Sequence, residues 1–161
     1  MSKKAYFPLF VDIRSYRILV VGGGQIALRR IRTLLQFEPD ITVIAQEVCE
    51  EITRMEEEGK LTILRKKYES DDLCLQSKIN LVLAATNNKD VNHLVWEACK
   101  KRNILVNVAD DRSLCDFYFP SIVMNEDVVI GINSGGKNPS VVKKIRRKIE
   151  ELLEKTRKIY E

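Results

Sequence analysis

The strongest constraint on the fold is a regular alternation of short apolar runs with amphipathic helical patterns. The apolar runs are YRILVV (16–21), DITVIA (40–45), KLTILR (60–65), INLVLAAT (79–86) and NILVNVAD (103–110). Their composition is typical of strands that are buried on both faces of a parallel sheet. Helical patterns at 25–36, 47–58 and 88–102 separate most of the runs. Since crossovers between parallel strands are right-handed, the sequence predicts an α/β, Rossmann-type parallel sheet with the strand order 3-2-1-4-5.

The pattern changes after the fifth apolar run. Residues 117–134 predict a β-hairpin, and residues 139–159 predict one long amphipathic helix. Nothing further in the chain covers the apolar stripes of this hairpin and helix, and a second copy of the chain would cover them. We therefore expect a Rossmann domain at 1–112, a dimerisation segment at 113–161, and a homodimer.

A glycine-rich turn lies between the first predicted strand and the first predicted helix. The pattern Gly22-x-Gly24-x-x-Ala27 in this position is typical of a dinucleotide-binding turn. Gly22 allows the tight turn, Gly24 allows backbone to approach a pyrophosphate, and Ala27 allows close packing of helix on strand. The pyrophosphate is expected at the N–H groups around Gln25 and Ile26. The competing interpretation is that the glycines serve a tight turn alone.

The end of the second predicted strand bears on the choice between NAD and NADP. The acidic residue that usually follows the glycine turn by about 20 positions would fall near Ile44, which is apolar. Gln46 and Glu47 are the first polar groups, so we expect them to contact the adenosine ribose. No arginine occurs in 41–53 to meet a 2′-phosphate, and the sequence therefore favours NAD.

The fourth predicted strand ends in Thr86 and Asn87. In the order 3-2-1-4-5 this strand lies beside the first one, at the point where the strand order reverses. Ligands of open α/β sheets bind at that point. We expect both residues to contact the ribose or the nicotinamide side of the cofactor.

The net charge of +4 is unevenly distributed. Residues 47–58 are acidic, whereas the C-terminal stretch is basic through Lys137, Lys143, Lys144, Arg146, Arg147, Lys148, Lys155, Arg157 and Lys158. The basic stretch is interpreted either as a solvated helix face or as a surface that attracts a polyanion. Because no aromatic residues alternate with these cations, single-stranded nucleic acid is not expected as a partner.

Other composition features exclude several classes of protein. No apolar stretch approaches the ~20 residues that span a bilayer, and Pro8, Asp12 and Arg14 interrupt the N-terminal apolar segment, so we expect a cytoplasmic protein without a signal peptide. No C-x-x-C pair occurs, and His93 is the one histidine, so no metal site is expected. His93 is interpreted as a surface or core residue. The cysteines are interpreted as reduced, small apolar residues: Cys49, Cys74, Cys99 and Cys115.

Several motifs together resemble one known family. They are GGG (22–24), ATNN (85–88), NVAD (107–110), FPS (119–121) and SGGKNP (134–139), in this order. The combination resembles precorrin-2 dehydrogenase, the dehydrogenase module of siroheme synthases. The resemblance implies NAD-dependent removal of two hydrogens from precorrin-2, which gives sirohydrochlorin and NADH. Some members of the family also insert ferrous iron to make siroheme.

The resemblance also implies roles for individual residues. Asp110 matches the catalytic aspartate of the family, and a carboxylate can take a proton from the macrocycle as hydride leaves. Asp111 is the neighbouring rival, and a strand-end aspartate that only caps a turn is the structural alternative. Ser134, Gly135 and Gly136 are expected to present backbone amides to a substrate carboxylate, unless they serve only to start the helix.

Two other functions remain open from the sequence. A regulatory module that senses NAD would need the glycine turn without Asp110. A ferrochelatase would need groups that deliver iron or accept pyrrole protons; the single, distant His93 makes this alternative weak, although Asp110 could serve both reactions. Family members commonly carry a further helical segment that helps to shape the tetrapyrrole cleft, whereas this chain ends at Glu161.

Overall fold

The computed structural model describes residues 7–74 and 78–160, with side chains described through Lys155. Five parallel strands form one sheet: β1 (Arg17–Val21), β2 (Asp40–Ile44), β3 (Thr62–Leu64), β4 (Leu81–Ala84) and β5 (Leu105–Val108). Their order is β3-β2-β1-β4-β5, which confirms the predicted topology. Each strand is shorter than its apolar run, because the ends of the runs belong to the connecting loops.

The centre of the sheet is the core of the molecule. Val20 of β1 pairs in register with Val43 of β2 and with Leu83 of β4, and all three side chains are fully buried. Burial on both faces explains why these strands read as continuous apolar runs. Each such side chain contributes about 1.5–3 kcal/mol through removal from water.

Three helices connect the strands: α1 (Gln25–Leu34), α2 (Glu50–Glu57) and α3 (Lys89–Lys101). α2 begins three residues after the predicted start at position 47. The reason is that the backbone N–H of Cys49 donates to the carbonyl of Gly23 at 2.9 Å, and Cys49 itself has extended φ and ψ. A short 3-10 helix at Ser70–Leu73 lies in the link between β3 and β4, and residues 75–77 of that link lie outside the described residues.

The chain divides into two compact units, which we call the sheet unit (Leu9–Phe117) and the hairpin unit (residues 7 and 8 together with the chain from Tyr118 onward). The sheet unit extends past β5 to Phe117. Hydrogen bonds to β5 account for the extension, since the Asp116 carboxylate accepts from the N–H of Val106 at 3.0 Å and Asn107 donates to the Phe117 carbonyl at 2.7 Å.

The hairpin unit contains two antiparallel strands, β6 (Ser121–Asn125) and β7 (Val128–Ile132), and the helix α4 (Pro139–Tyr160). The predicted hairpin and long helix are therefore confirmed. In this chain the unit exposes several large apolar side chains: Met124, Val128, Val141, Ile145 and Leu152. No described helix combines the length and the hydropathy that crossing a membrane requires.

Candidate active site

The turn from β1 to α1 is held against the neighbouring strands by backbone contacts. The N–H of Gly22 donates to the carbonyl of Ile44 at 2.9 Å, and Gly22 has a φ of +115°. A Cβ added to Gly22 would lie 2.6 Å from the carbonyl carbon of Ala85, at the end of β4. Only glycine fits here, both because of the left-handed backbone and because β4 is so close. The turn thus lies where the strand order reverses.

Gly23 has a role that the sequence analysis did not assign. A Cβ at this position would lie 2.7 Å from the Cα of Val48, in the loop between β2 and α2. The Gly23 carbonyl accepts the Cys49 N–H in the same contact. Gly23, the middle glycine of the run, therefore allows two loops to pack together. Its signal in the sequence is a glycine at the x position of the G-x-G pattern.

Gly24 differs from its two neighbours because nothing lies within 4 Å of an added Cβ. It precedes α1 with extended backbone, and the first helical bond runs from Leu28 N–H to the Gly24 carbonyl. The N–H groups of Gln25, Ile26 and Ala27 belong to the uncapped first turn. Within the described residues no side chain caps α1, and its first turn holds no acidic residue. This open, positively polarised helix end fits a pyrophosphate.

Gln46 and Glu47 lie in the loop after β2, and both are exposed. The contact of this loop with Gly23 brings them beside the glycine turn. An exposed carboxylate in this place suits the hydroxyl groups of a ribose and repels a phosphate.

The end of β4 is organised by hydrogen bonds to the start of α3. The Thr86 hydroxyl lies 2.9 Å from the Asn88 carbonyl, and it also accepts the Asn88 N–H at 3.1 Å. Asn88 caps α3 by accepting the N–H groups of Asp90 and Val91. The Thr86 hydroxyl is thus used within the loop, whereas the side chain of Asn87 is exposed.

Asp110 follows β5, at the same edge of the sheet as the ends of β1 and β4. The N–H of Ala109 donates to the Ala84 carbonyl at 2.8 Å and keeps this end of β5 joined to β4. One carboxylate oxygen of Asp110 accepts from Nδ2 of Asn92 at 2.7 Å. The residue is otherwise exposed, so its carboxylate is accessible from solvent.

Asp111 is placed differently from Asp110. Its carboxylate accepts from both the N–H and the hydroxyl of Ser113, at 2.8 and 2.6 Å. These hydrogen bonds from Ser113 hold the pKa of Asp111 below its usual value. The side chain caps the short 3-10 helix Arg112–Leu114, which is the structural role that the sequence left open for a strand-end aspartate.

Asn92, which the sequence analysis did not single out, connects Thr86 with Asp110. It is 1% exposed and belongs to the face of α3 that also buries Val95 and Ala98. A polar residue at a core-facing position of an amphipathic helix was the available signal, because a buried amide is costly unless it is hydrogen-bonded. His93, the next residue, is exposed, and its Nδ1 lies 3.5 Å from Glu97.

The four cysteines differ in burial and in their hydrogen-bonding partners. All four cysteines are free thiols; burial raises the pKa of Cys99 to about 12, whereas Cys74 is exposed and accepts from Arg102. Cys74 therefore does not fit the expectation of a buried apolar residue. In the part of the chain that the structure describes, no three His, Cys, Asp or Glu residues could together hold a metal ion.

The predicted substrate turn lies in the hairpin unit, between β7 and α4. Gly135 and Gly136 have φ values of +62° and +69°. The N–H of Gly135 donates to the Asn133 side chain at 2.7 Å, so this amide is not open to a carboxylate as expected. The Ser134 hydroxyl accepts the Asn138 N–H at 3.2 Å. The short side chains of Asn133 and Ser134 thus accept backbone N–H groups within the turn itself.

The sheet order and the open glycine turn define the sheet unit as a dinucleotide-binding Rossmann domain. Residues 9–121 match the family described as "Putative NAD(P)-binding". The chain is 38% identical over 148 residues to the siroheme synthase of Buchnera aphidicola and 39% identical over the same length to that of Ruthia magnifica. It covers 31% of each, so it spans about a third of the length of these relatives.

Among solved structures, the chain is similar to "SirC, precorrin-2 dehydrogenase", with a TM-score of 0.76 and 33% sequence identity. The match covers 91% of this chain and 70% of SirC. The chain therefore belongs to the family of NAD(P)-binding modules that includes SirC and the matching part of the siroheme synthases. The family resemblance inferred from the motifs is confirmed.

Proposed function

We propose that this chain is an NAD-dependent precorrin-2 dehydrogenase that forms sirohydrochlorin, working as a homodimer in the cytoplasm. The observation that carries the proposal is the position of Asp110, an accessible carboxylate at the same sheet edge as the open glycine turn, in a chain that is similar to SirC over most of its length. Similarity to an enzyme favours catalysis over a module that only senses NAD.

The residues around the glycine turn are proposed to hold NAD. Gly22 and Gly24 shape the turn, and the N–H groups of Gln25 and Ile26 meet the pyrophosphate. The adenosine ribose is assigned to the exposed loop after β2, and the nicotinamide side to the end of β4; these residues are Gln46, Glu47, Thr86 and Asn87. When bound, NAD supplies the acceptor for the hydride.

Asp110 is proposed to accept the proton in the reaction. Dehydrogenation removes two hydrogens from the macrocycle, one with its electron pair as hydride and one as a proton. The exposed carboxylate of Asp110 accepts that proton while its other contact, Asn92, holds it in place. Asp111 is disfavoured for this role because Ser113 already donates two hydrogen bonds to it.

The hairpin unit is proposed to bind substrate and to form the dimer. Precorrin-2 carries acetate and propionate carboxylates, which the basic residues of α4 attract. Ser134, Gly135 and Gly136 stay the proposed substrate-binding turn, with the Gly135 N–H already donated to Asn133 and therefore not counted among the groups that meet the substrate. The exposed apolar side chains of this unit favour an interface between two copies, with 113–161 as the dimerisation segment; light scattering at micromolar concentration measures this directly.

The proposed reaction is tested by anaerobic incubation of the chain with precorrin-2 and NAD, with sirohydrochlorin and NADH absorbance as readouts. Equal amounts of both products are expected, and none without NAD. The matched control is Asp110→Asn, which keeps the shape of the side chain and removes the base. A wild-type chain that binds NAD without turnover would favour the NAD-sensing module instead.

A further inference from the structure

We propose that Asn92 is a positioning residue for the reaction: its one buried amide holds the Asp110 carboxylate and the Thr86 backbone in a single arrangement. The proposal rests on the proposed function, in which Asp110 accepts the substrate proton. The start of α3 thereby contributes to catalysis by fixing the Asp110 carboxylate, which neither the glycine turn nor the strand ends do.

The hydrogen bonds of Asn92 use both donors of its amide and its oxygen. Nδ2 donates to Asp110 Oδ1 at 2.7 Å and to the Thr86 carbonyl at 3.1 Å. Oδ1 accepts the Thr86 N–H at 3.1 Å and lies 2.8 Å from the Thr86 hydroxyl. Rotation of the amide by 180° would set its oxygen against the carboxylate, so one orientation is selected.

Burial makes this arrangement stiff. Asn92 is 1% exposed, on a helix face whose other members, Val95 and Ala98, are apolar. Loss of one partner would leave a buried donor or acceptor unpaired, and that cost holds the group in place. An apolar side chain would pack better at this buried position. The contacts of Asn92 with Thr86 and Asp110 therefore explain why the side chain is an amide.

The consequence for Asp110 is a fixed carboxylate at an otherwise exposed strand end. Within the described part of the chain, Asn92 is its one hydrogen-bonding partner through the side chain, and the contact engages Oδ1. The second oxygen is thereby left for the substrate in a defined direction. Misplacement of a reacting group by about 1 Å can cost as much as ~10²-fold in rate, so a fixed direction matters for proton transfer.

Asn92→Asp is the diagnostic substitution. It preserves the size of the side chain and an acceptor for the Thr86 N–H, but it removes both donors and places a second carboxylate against Asp110. We expect kcat for precorrin-2 at saturating NAD to fall about tenfold or more, and the KM for NAD to change less, because the Thr86 N–H keeps an acceptor. Circular dichroism and thermal melting establish that the variant is folded.

A double-mutant cycle separates positioning from a structural role. If Asn92 acts through Asp110, Asn92→Asp should have almost no further effect on kcat in an Asp110→Ala background. Asn88→Ala is the matched control, since it weakens the cap of the same helix without touching Asp110, and its effect should be the same in both backgrounds. An Asn92→Asp effect of equal size with and without Asp110 would overturn the proposal.

The contact itself is tested by NMR on the chain with its native Asn92. The Asn92 amide proton that is donated to Asp110 should be shifted downfield and protected from exchange. Asp110→Ala should abolish both properties, whereas Asp111→Ala should leave them unchanged; an amide spectrum indifferent to Asp110→Ala would refute the contact. If the wild type shows no turnover of precorrin-2, the proposed function fails, while this measurement still decides whether Asn92 holds Asp110.

Discussion

Two glycine turns in this molecule each lead from a strand into a helix, and they are built on different principles. The turn before α1 carries Gly22, Gly23 and Gly24, and the turn before α4 carries Gly135 and Gly136. In the first turn, two of the glycines are required because neighbouring backbone lies where a Cβ would be. In the second, the glycines have left-handed backbone, and nothing lies within 4 Å of a Cβ at Gly135.

The helix ends that follow the two turns also differ. α1 has no side-chain cap in the described structure, so its first N–H groups face outward. α4 is preceded by Asn138, which accepts the Val141 N–H at 3.2 Å, and the Gly135 N–H is used by Asn133. A glycine run before a helix is therefore not enough to make an anion site. The helix end must also lack a side chain that satisfies it.

The largest effect is expected from Gly24→Asp. The added carboxylate would cap α1 and occupy the space of the pyrophosphate, so NAD affinity should fall about 10³-fold, because like charges in contact cost several kcal/mol. The fold should persist, since aspartate is a favoured N-cap and the position is open. Calorimetry measures the affinity. Gly24→Asn, equal in size and uncharged, should bind NAD better than Gly24→Asp; equal losses would mean that charge is not the cause.

The two turns should differ in how much stability is lost when a glycine is replaced by alanine. Gly22→Ala should lower the free energy of unfolding by about 3 kcal/mol or more, because its Cβ would meet the backbone of Ala85. Gly135→Ala should cost only about 1 kcal/mol, the price of a left-handed backbone for alanine. Urea denaturation of both variants makes the comparison, and similar losses would contradict it.

Catalysis should depend on the sheet edge next to the first turn. Asp110→Ala is expected to lower kcat ~10²-fold, because the proton acceptor is removed, while NAD affinity stays nearly unchanged. Asp111→Ala should be milder, since its carboxylate caps a turn through Ser113. NADH formation from precorrin-2 at saturating NAD compares the two. An inactive Asp111→Ala beside an active Asp110→Ala would move the assignment by one residue.

The smallest effect is expected at the cap of α4. Asn138→Ala should lower stability by about 1 kcal/mol, because the Val141 N–H loses its acceptor. NAD affinity should not change, since Asn138 is not among the residues proposed to hold NAD. Thermal melting and calorimetry on the same sample give both values. A loss of NAD affinity would show that the second turn also serves the nucleotide.

Much of the fold could be predicted because its signals are local. The apolar runs predicted five strands in the correct order, and the changed pattern after them predicted the hairpin and the long helix. Strand and helix ends were less accurate. Helix α2 begins at Glu50 and not at position 47, because the Cys49 N–H donates a hydrogen bond to the carbonyl of Gly23, a residue far away in the sequence.

The candidate site was predictable to the same extent. The positions of Gly22, Gly24 and Asp110 at one edge of the sheet could be predicted because each belongs to a short motif at the end of a strand, and their roles stay predictions. Gly23 and Asn92 could not be assigned, because the role of each depends on a partner distant in sequence, Glu47–Val48 for the one and Asp110 for the other. The use of the Gly135 amide by Asn133 was missed because two turn conformations can share one glycine pattern.

By itself the sequence determined the strand order, the nucleotide turn and the family, since hydrophobic period, turn residues and short motifs are properties of neighbouring residues. The tertiary structure alone decided which of two adjacent aspartates is held by a buried amide and which is used by its own turn. The physical reason is that hydrogen-bond partners are chosen in space. Asn92 reaches Asp110 across eighteen positions of sequence, whereas Asp111 is satisfied two residues away by Ser113.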